Sequence, residues 1–245
     1  MSIQQAICGI AVSIYSAIGL ADGFVNVYEI PHNVSINVIS NQLYHEQLNE
    51  TLHHWDNYEA EEKKKKSITP AELPLAQNAG EGIAELTKSL PKDQAGTGQL
   101  AYQQAFDYHE QVIRQFGLQS GDIGVAFASC IAGAWMAYNN KPFPDNFYLP
   151  LVNQMRQLLS SKRANLQSLS ASELRNTYES LAVAGMIMAS SQITLQRNPK
   201  AVDADELRTR MRTQGGETLT RILQLSPERV GIGASGVYSL SGNKP

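Results

Sequence analysis

The sequence predicts an all-α fold, a bundle of about six helices that ends in a small β-hairpin. Segments 122–138 and 181–195 are apolar on every side, which is typical of helices in the middle of a domain. Near the C-terminus, the short apolar runs 230–232 and 237–240 flank the turn residues 234–236, and this pattern predicts a hairpin. With 245 residues, of which 42% are hydrophobic, the chain can bury a sizeable core.

Charge and cysteine usage narrow the class of protein. The net charge is −3, and neither Lys nor Arg occurs before Lys63, so the sequence lacks the basic footprint of a nucleic-acid-binding protein. The two cysteines, Cys8 and Cys130, lie in the N-terminal apolar run and in the central apolar segment, which does not indicate a disulfide framework. We therefore predict no nucleic-acid partner and interpret Cys130 as an inert buried thiol.

Residues 1–21 are predicted to be a signal peptide. The apolar run 6–20 fits the hydrophobic region of a leader, and the stretch Gly19-Leu20-Ala21 offers small residues where a signal peptidase could cut, although no Lys or Arg precedes the run. The protein is then expected in the periplasm or outside the cell, and the alternative is a cytoplasmic protein with a buried N-terminal helix. Once the leader is removed no membrane anchor is expected, because segment 122–138 is shorter than the ~20 residues that cross a bilayer.

Two further segments precede the predicted core. Residues 22–58 combine a short extended stretch at 24–30 with a long amphipathic helix at 34–58. Residues 59–98 begin with the charged block 59–66 and continue with repeated prolines and glycines, which indicates a flexible connector with a short helix at 82–90.

Residues 99–245 are predicted to form the helical core domain with its hairpin. The first core helix ends at Gly117, and Asp122 caps the central helix, which stops before Pro142. A helix at 149–159 follows, and Ser172 is the expected cap of the next one.

Small residues predict where these helices meet. Gly133 and Gly185 lie near the centres of the two apolar segments, so we expect a close helix crossing there. In the last helix, which begins near Asp203, the pair Gly215-Gly216 predicts a kink or a break.

The best metal-ligating candidates lie in the predicted N-terminal helix. Glu50 and His53 have the E-x-x-H spacing, and Glu46, Glu50 and His54 form a second set on one face. A di-iron carboxylate bundle needs a second helical E-x-x-H, which the sequence lacks. These side chains are therefore interpreted as surface residues, and no metal or cofactor is predicted.

Catalytic motifs are also missing from the sequence. His109 would be a base oriented by Asp107 only if the helix bent, because residues i and i+2 do not face each other, so a half-buried helical histidine is expected. Ser235 does not lie in a G-x-S-x-G motif and is interpreted as a turn residue, and no phosphate-binding or dinucleotide-binding glycine motif occurs. No catalytic residue is assigned, which favours a protein that is not an enzyme.

Arg208, Arg210 and Arg212 form a basic run in the last helix. The preferred interpretation is a solvated helix surface paired with Asp203, Asp205 and Glu206. The alternative is a binding role, in which these arginines contact an anionic lipid or an acidic partner.

Residues from about 106 to 240 resemble a bacterial family of exported, mostly helical proteins known only as a domain of unknown function. The resemblance rests on Phe116-Gly117, the IAGAWMAYNN run at 131–140, Phe147 with 151–156, the segment 181–186, and the closing LSPERVGIGASGV. It implies an exported helical protein with no assigned activity, and it transfers no catalytic residue.

These observations predict a protein-interaction or binding module of the cell envelope or extracellular space, with another protein as its partner. Two alternatives remain from the sequence. One is a secreted enzyme or toxin-like effector that uses His109 or the His53 and His54 pair, and the other is the immunity protein of such a toxin.

Overall fold

The computed structural model describes residue 76 and residues 81–88, 90–160, 166–200 and 204–240. The predicted signal peptide, the segment 22–58 and most of the connector up to residue 80 lie outside the described residues. The same holds for Cys8 and for the candidates Glu46, Glu50, His53 and His54.

Six helices and one hairpin make up the described part, as the sequence predicts. The helices are α1 (Glu81–Lys88), α2 (Ala95–Gln115), α3 (Ile123–Asn139), α4 (Tyr148–Ser160), α5 (Ala171–Arg197) and α6 (Ala204–Leu223). The strands β1 (Val230–Gly233) and β2 (Gly236–Ser239) pair in antiparallel fashion around the turn at Ala234-Ser235. Helix α1 and the start of α2 lie within the segment that the composition assigns to the connector.

The core is built around the crossing of α3 and α5. A Cβ atom added to Gly133 would lie 2.8 Å from the Cα of Gly185, and one added to Gly185 would lie 2.6 Å from the carbonyl carbon of Ser129. Only glycine permits backbones to approach this closely, so the predicted crossing of Gly133 and Gly185 is confirmed. Almost every residue of α3 is buried as a result, and α5 is buried along most of its length.

Helix α1 is held on α5 by a carboxylate. The buried Glu179 accepts hydrogen bonds from the backbone N–H groups of Gly82 (2.7 Å) and Ile83 (3.2 Å), which are otherwise unpaired at a helix N-terminus. Gly82 lets the two helices meet there, because a Cβ at this position would lie 2.8 Å from the Cβ of Glu179. Ile83 and Leu86 then complete the contact with buried apolar side chains.

The hairpin lies on α4 through one glutamine. Gln154, buried to 3% exposure, donates its amide hydrogen to the carbonyl of Val237 and accepts the N–H of Val237, both at 2.7 Å. Gly236 has φ +102° and would clash with Gln154 if it carried a side chain. A two-stranded hairpin is marginal by itself, and here the contact between Gln154 and the main chain of Val237 holds it on the helices.

Helix α6 does not break at Gly215-Gly216, so the prediction of a break is wrong. The helix continues from Ala204 to Leu223. A Cβ added to Gly215 would lie 2.5 Å from the carbonyl oxygen of Ala134 and 2.8 Å from the backbone nitrogen of Tyr138. Close packing of α6 against α3 therefore accounts for the glycine, and it offsets the low helix propensity.

The helix caps agree with the sequence in two places and differ in one. Asp122 caps α3, and Gly117 has φ +68° just beyond the end of α2, as predicted. The cap of α5 is Ser170 rather than Ser172. Ser170 forms a capping box with Glu173, whose carboxylate accepts the N–H of Ser170 at 2.8 Å.

We expect Gly133→Ala to destabilise the protein by about 2–3 kcal/mol, because the added methyl group would overlap the backbone of Gly185. The matched control is Gly96→Ala in α2, where an added Cβ meets no atom within 4 Å. Helix propensity alone then favours alanine by up to about 1 kcal/mol. Urea unfolding of both variants measures the two effects. Changes in the free energy of unfolding that have the same sign and size would contradict a tight crossing.

Candidate functional site

A cluster of polar side chains lies inside the apolar core and joins four helices. We call it the His109 cluster: His109 and Glu110 of α2, Ser129 of α3, Tyr148 of α4 and Tyr178 of α5. The Nε2 atom of His109 lies 3.1 Å from Ser129 Oγ, and Ser129 Oγ lies 2.7 Å from the hydroxyl of Tyr148. His109 is fully buried, and Ser129 and Tyr148 are 8% and 3% exposed.

Glu110 forms the outer end of the cluster. Tyr178 donates its hydroxyl hydrogen to Glu110 Oε1 at 2.5 Å, and the same oxygen lies 3.6 Å from His109 Nδ1. Burial alone would raise the pKa of Glu110, but the nearby His109 ring and the hydrogen bonds from Tyr178 and Ser120 outweigh it and lower the pKa to about 2. Burial, followed by the hydrogen bond to Glu110, raises the pKa of Tyr178 well above its ordinary value.

The order carboxylate, histidine, serine is the order of groups in a serine hydrolase. Here the arrangement is closed, because a substrate would have to part the helices to reach Ser129 Oγ. Burial also raises the pKa of the Tyr148 phenol to about 12, so Tyr148 stays protonated. The cluster therefore acts chemically as a set of hydrogen bonds that fix α2, α3, α4 and α5 against one another.

The environment of His109 differs from the sequence prediction. The histidine is fully buried rather than half-buried, and its ring packs edge-on against Tyr178 at 5.6 Å between centroids. Asp107 does not orient it, because the Asp107 carboxylate lies on the exposed face of α2 and accepts a hydrogen bond from Gln103 at 2.9 Å. The partners of His109 come from α3 and from the next residue, Glu110, which helical spacing along α2 cannot reveal.

Asp122 has a second role that the sequence did not indicate. Its Oδ1 atom caps α3 by accepting the N–H groups of Gly124 (2.9 Å) and Val125 (3.3 Å). Its Oδ2 atom accepts two hydrogen bonds from Arg156 of α4, from Nε at 2.8 Å and from a terminal guanidinium nitrogen at 2.7 Å. Both side chains are buried. One signal was available, because Arg156 follows the spacing of buried positions such as Val152 and Leu159.

Among the described residues, no group of three His, Cys, Asp or Glu side chains could hold a metal ion. The candidates Glu46, Glu50, His53 and His54 lie outside that part. Cys130 is fully buried, and burial raises the pKa of its thiol to about 12, so the thiol stays protonated. In the described ranges, no helix is long and apolar enough to span a membrane.

The surface carries an open groove between α6, the end of α3 and the turn that precedes β1. We call it the α6 groove. Its volume is about 630 Å³, and it is lined by Tyr138, Arg212, Thr213, Gly216, Glu217, Thr220, Arg221, Pro227 and Glu228. The Tyr138 hydroxyl donates to Glu228 Oε1 at 3.0 Å, and the Arg212 guanidinium lies 4.7 Å from the centre of the Tyr138 ring. An aromatic ring is thus held between a cation and an anion at the surface.

The basic run of α6 divides into two kinds of arginine. Arg208 pairs with Asp205 and Arg210 pairs with Glu206, which confirms the predicted solvated surface for these two. Asp203 lies outside the described residues. Arg212 instead covers Tyr138, a contact between α6 and α3 that the sequence pattern did not indicate.

Comparison with known proteins identifies a family. The model of a family of unknown function, DUF6683, matches residues 5–238 of the 245-residue chain. The resemblance to a domain of unknown function over about residues 106–240 therefore overlaps this longer match up to residue 238. No curated protein matches the chain, and no solved structure matches it.

We expect Arg156→Met to cost about 3–5 kcal/mol, because it leaves the Asp122 carboxylate buried without its partner. The double variant Asp122→Asn with Arg156→Met should recover part of this loss, since no buried charge then remains. Lys88→Met is the control, because its pair with Glu85 is exposed and should cost less than ~1 kcal/mol. Chemical unfolding checks the series, and equal losses for the single variants at Lys88 and Arg156 would contradict it.

The lowered pKa of Glu110 predicts a loss of stability in acid. Because the folded pKa of about 2 lies below the ordinary value of 4.5, the stabilisation is present above about pH 4.5 and is lost as the pH falls toward 2. A shift of this size corresponds to about 3 kcal/mol. Glu110→Gln should remove this part of the pH dependence, and Tyr178→Phe, which removes one donor, should reduce it.

Urea unfolding at neutral pH and at about pH 3 checks this, since the stabilisation is complete at neutral pH and partly lost at pH 3, which lies between the two pKa values. A wild-type protein and a Glu110→Gln variant that lose equal stability between these pH values would contradict the assignment.

Proposed function

The chain belongs to this family of unknown function, and from its geometry we propose that it is an exported binding module that docks another protein through the α6 groove. The observation that carries the proposal is a contrast in placement. The reactive kinds of side chain, His109, Ser129 and Tyr148, are closed inside the core. A tyrosine and arginines, which are enriched at protein interfaces, instead line an open groove.

The centre of the groove is already ordered. Tyr138 is held by the hydrogen bond to Glu228 and by the guanidinium of Arg212. A side chain that is fixed before binding loses little conformational entropy when a partner arrives. Tyr and Arg also account for many of the side chains that dominate binding energy at interfaces. Tyr138 and Arg212 are therefore the expected anchors.

The charges of the groove favour a protein partner over an anionic lipid surface. The lining carries Arg212 and Arg221 but also Glu217 and Glu228, so positive and negative groups alternate over a short distance. An anionic membrane attracts clusters of a single positive sign. The neighbouring Arg208 and Arg210 are already paired with acidic residues of their own helix. Mixed charges suit a polypeptide, which carries both signs.

The export part of the proposal rests on the N-terminal pattern. The apolar run 6–20, with small residues in the stretch Gly19-Leu20-Ala21, is that of a secretory leader, and the resemblance to exported bacterial proteins points the same way. The partner is then expected in the periplasm or in the extracellular space. A cytoplasmic protein with an uncleaved N-terminal run is the alternative.

Site-specific cross-linking of the full-length chain in its native host tests the proposal. A photoreactive residue replaces Thr213, which is exposed in the groove, and in a second strain it replaces Gln103, which is exposed on α2. We expect one protein to be cross-linked from position 213 and not from position 103. The same cultures are fractionated, and the intact mass of the chain should show an N-terminus near Asp22 in the periplasm or medium.

Two arginine variants provide the matched comparison. Arg212→Ala should reduce the affinity for the captured protein by about tenfold or more, as loss of an interface anchor does. Arg210→Ala, two residues away and paired with Glu206, should leave the affinity unchanged. Equal cross-linking from positions 213 and 103, or equal affinities of the two variants, would overturn the groove as the interface. An intact Met1 in the cytosol would overturn export.

A further inference from the structure

The two edges of the C-terminal hairpin differ in how their main-chain groups are hydrogen-bonded. On the β2 side, the side-chain amide of Gln154 takes the place of a third strand, because it pairs with both the N–H and the carbonyl of Val237. Gln154 belongs to α4 and is buried, so this edge of the hairpin is hydrogen-bonded to a helix. The opposite edge, along β1, has no comparable side chain in the part of the protein that the structure describes.

The strand register shows which groups the β1 edge presents. Val237 lies opposite Ile232, and both main-chain groups of Val237 point outward to Gln154. In an antiparallel ladder such a pair is the type without mutual hydrogen bonds, so the N–H and carbonyl of Ile232 also point outward, on the other side. The bond from the Leu240 N–H to the Arg229 carbonyl, 2.8 Å, agrees with this alternation. Within the described ranges, neither group of Ile232 has a hydrogen-bond partner.

The β1 strand is short, which is one protection of a free edge, but it carries none of the other common ones. Natural edges are blocked by lysine, proline or a bulge, and β1 has the sequence Val-Gly-Ile-Gly with a regular register. The glycines on either side of Ile232 have no side chains, and the ring of Tyr238 on β2 packs over both of them. Tyr238 thus covers one face of β1 without reaching across its edge.

The start of β1 lies close in the sequence to two residues of the α6 groove. Pro227 and Glu228 line the groove and precede β1 by only a few residues. A strand advances about 3.4 Å per residue, so a polypeptide that pairs with Ile232 needs only a few more residues to reach Glu228. Its following side chains would then lie beside Tyr138 and Arg212.

We propose that the outer edge of β1 binds an extended segment of the partner protein, which forms main-chain hydrogen bonds with Ile232 and continues into the α6 groove. This deepens the proposed function and rests on it. An extended polypeptide is the chemistry that fits, because it offers an N–H and a carbonyl at the spacing of a strand, whereas a helix uses these groups internally. An uncharged, β-branched residue opposite Ile232 would match the half-buried position of that side chain.

The test compares proline substitutions on the two edges. Ile232→Pro removes the outward N–H of β1. Ser239→Pro removes an outward N–H of β2, because Ser239 pairs with Val230 in the same type of position as Val237 with Ile232. Both variants strain the same hairpin, so the difference between them reports the edge. We expect Ile232→Pro to weaken binding of the protein cross-linked from position 213 by about tenfold or more, and Ser239→Pro to leave the affinity within about threefold.

The identity of the bound segment is read from a photoreactive residue at Ala234, which is exposed in the hairpin turn. In the full-length chain, expressed as a mixture of isotope-labelled and unlabelled copies, mass spectrometry identifies the cross-linked peptide. A peptide of the protein that is also cross-linked from position 213 supports the proposal. A peptide from residues 1–75 of the same copy, or from a second copy, overturns it.

The two proposals fail in different ways. If position 213 captures a partner but Ile232→Pro and Ser239→Pro bind it equally, the edge is not used and the groove interface stands. If position 213 captures nothing that position 103 does not also capture, the groove interface fails and the edge proposal fails with it. Circular dichroism and thermal unfolding of both proline variants confirm that the helical bundle remains folded in each.

Discussion

The close approach of helix backbones around α3 is the constraint on which the rest of the structure depends. Gly133 and Gly185 let α3 and α5 cross with main-chain atoms in contact, and Gly215 lets α6 reach the carbonyl of Ala134 from another side. A helix approached at this distance by two neighbours leaves little surface for solvent, which explains why α3 is apolar and buried along most of its length. Dispersion contacts between such close backbones are numerous, and they tolerate no added methyl group.

Buried polar groups determine how the other elements are oriented on this centre. Glu179 holds α1, Arg156 ties α4 to the start of α3, Gln154 holds the hairpin, and His109 joins α2 to Ser129. Apolar packing alone allows several similar arrangements. A buried hydrogen bond or ion pair allows far fewer, because a donor or charge that is left unpaired costs several kcal/mol. Each of these contacts joins residues that are distant in the sequence.

The use of buried polar groups as contacts between elements also bears on function. The histidine, serine and buried carboxylates that resemble catalytic groups are used to hold helices together, and they are closed from solvent. Accessible polar features of the described residues include the α6 groove around Tyr138 and the main-chain groups at Ile232. Aromatic rings, mixed charges and an open strand edge are features that recognise polypeptides. These accessible features are the basis of the proposed binding role.

Local patterns in the sequence determined the helical class, the central buried segments, the end of α2 at Gly117, the cap at Asp122 and the hairpin, because each depends on residues that are close in the chain. Only the tertiary structure decided the partner of Asp122, the burial of His109 and the continuity of α6 through Gly215. A charged or glycine residue in one helix has a meaning that depends on what another helix places against it. Helical periodicity shows which face a residue occupies, whereas packing decides what that face meets.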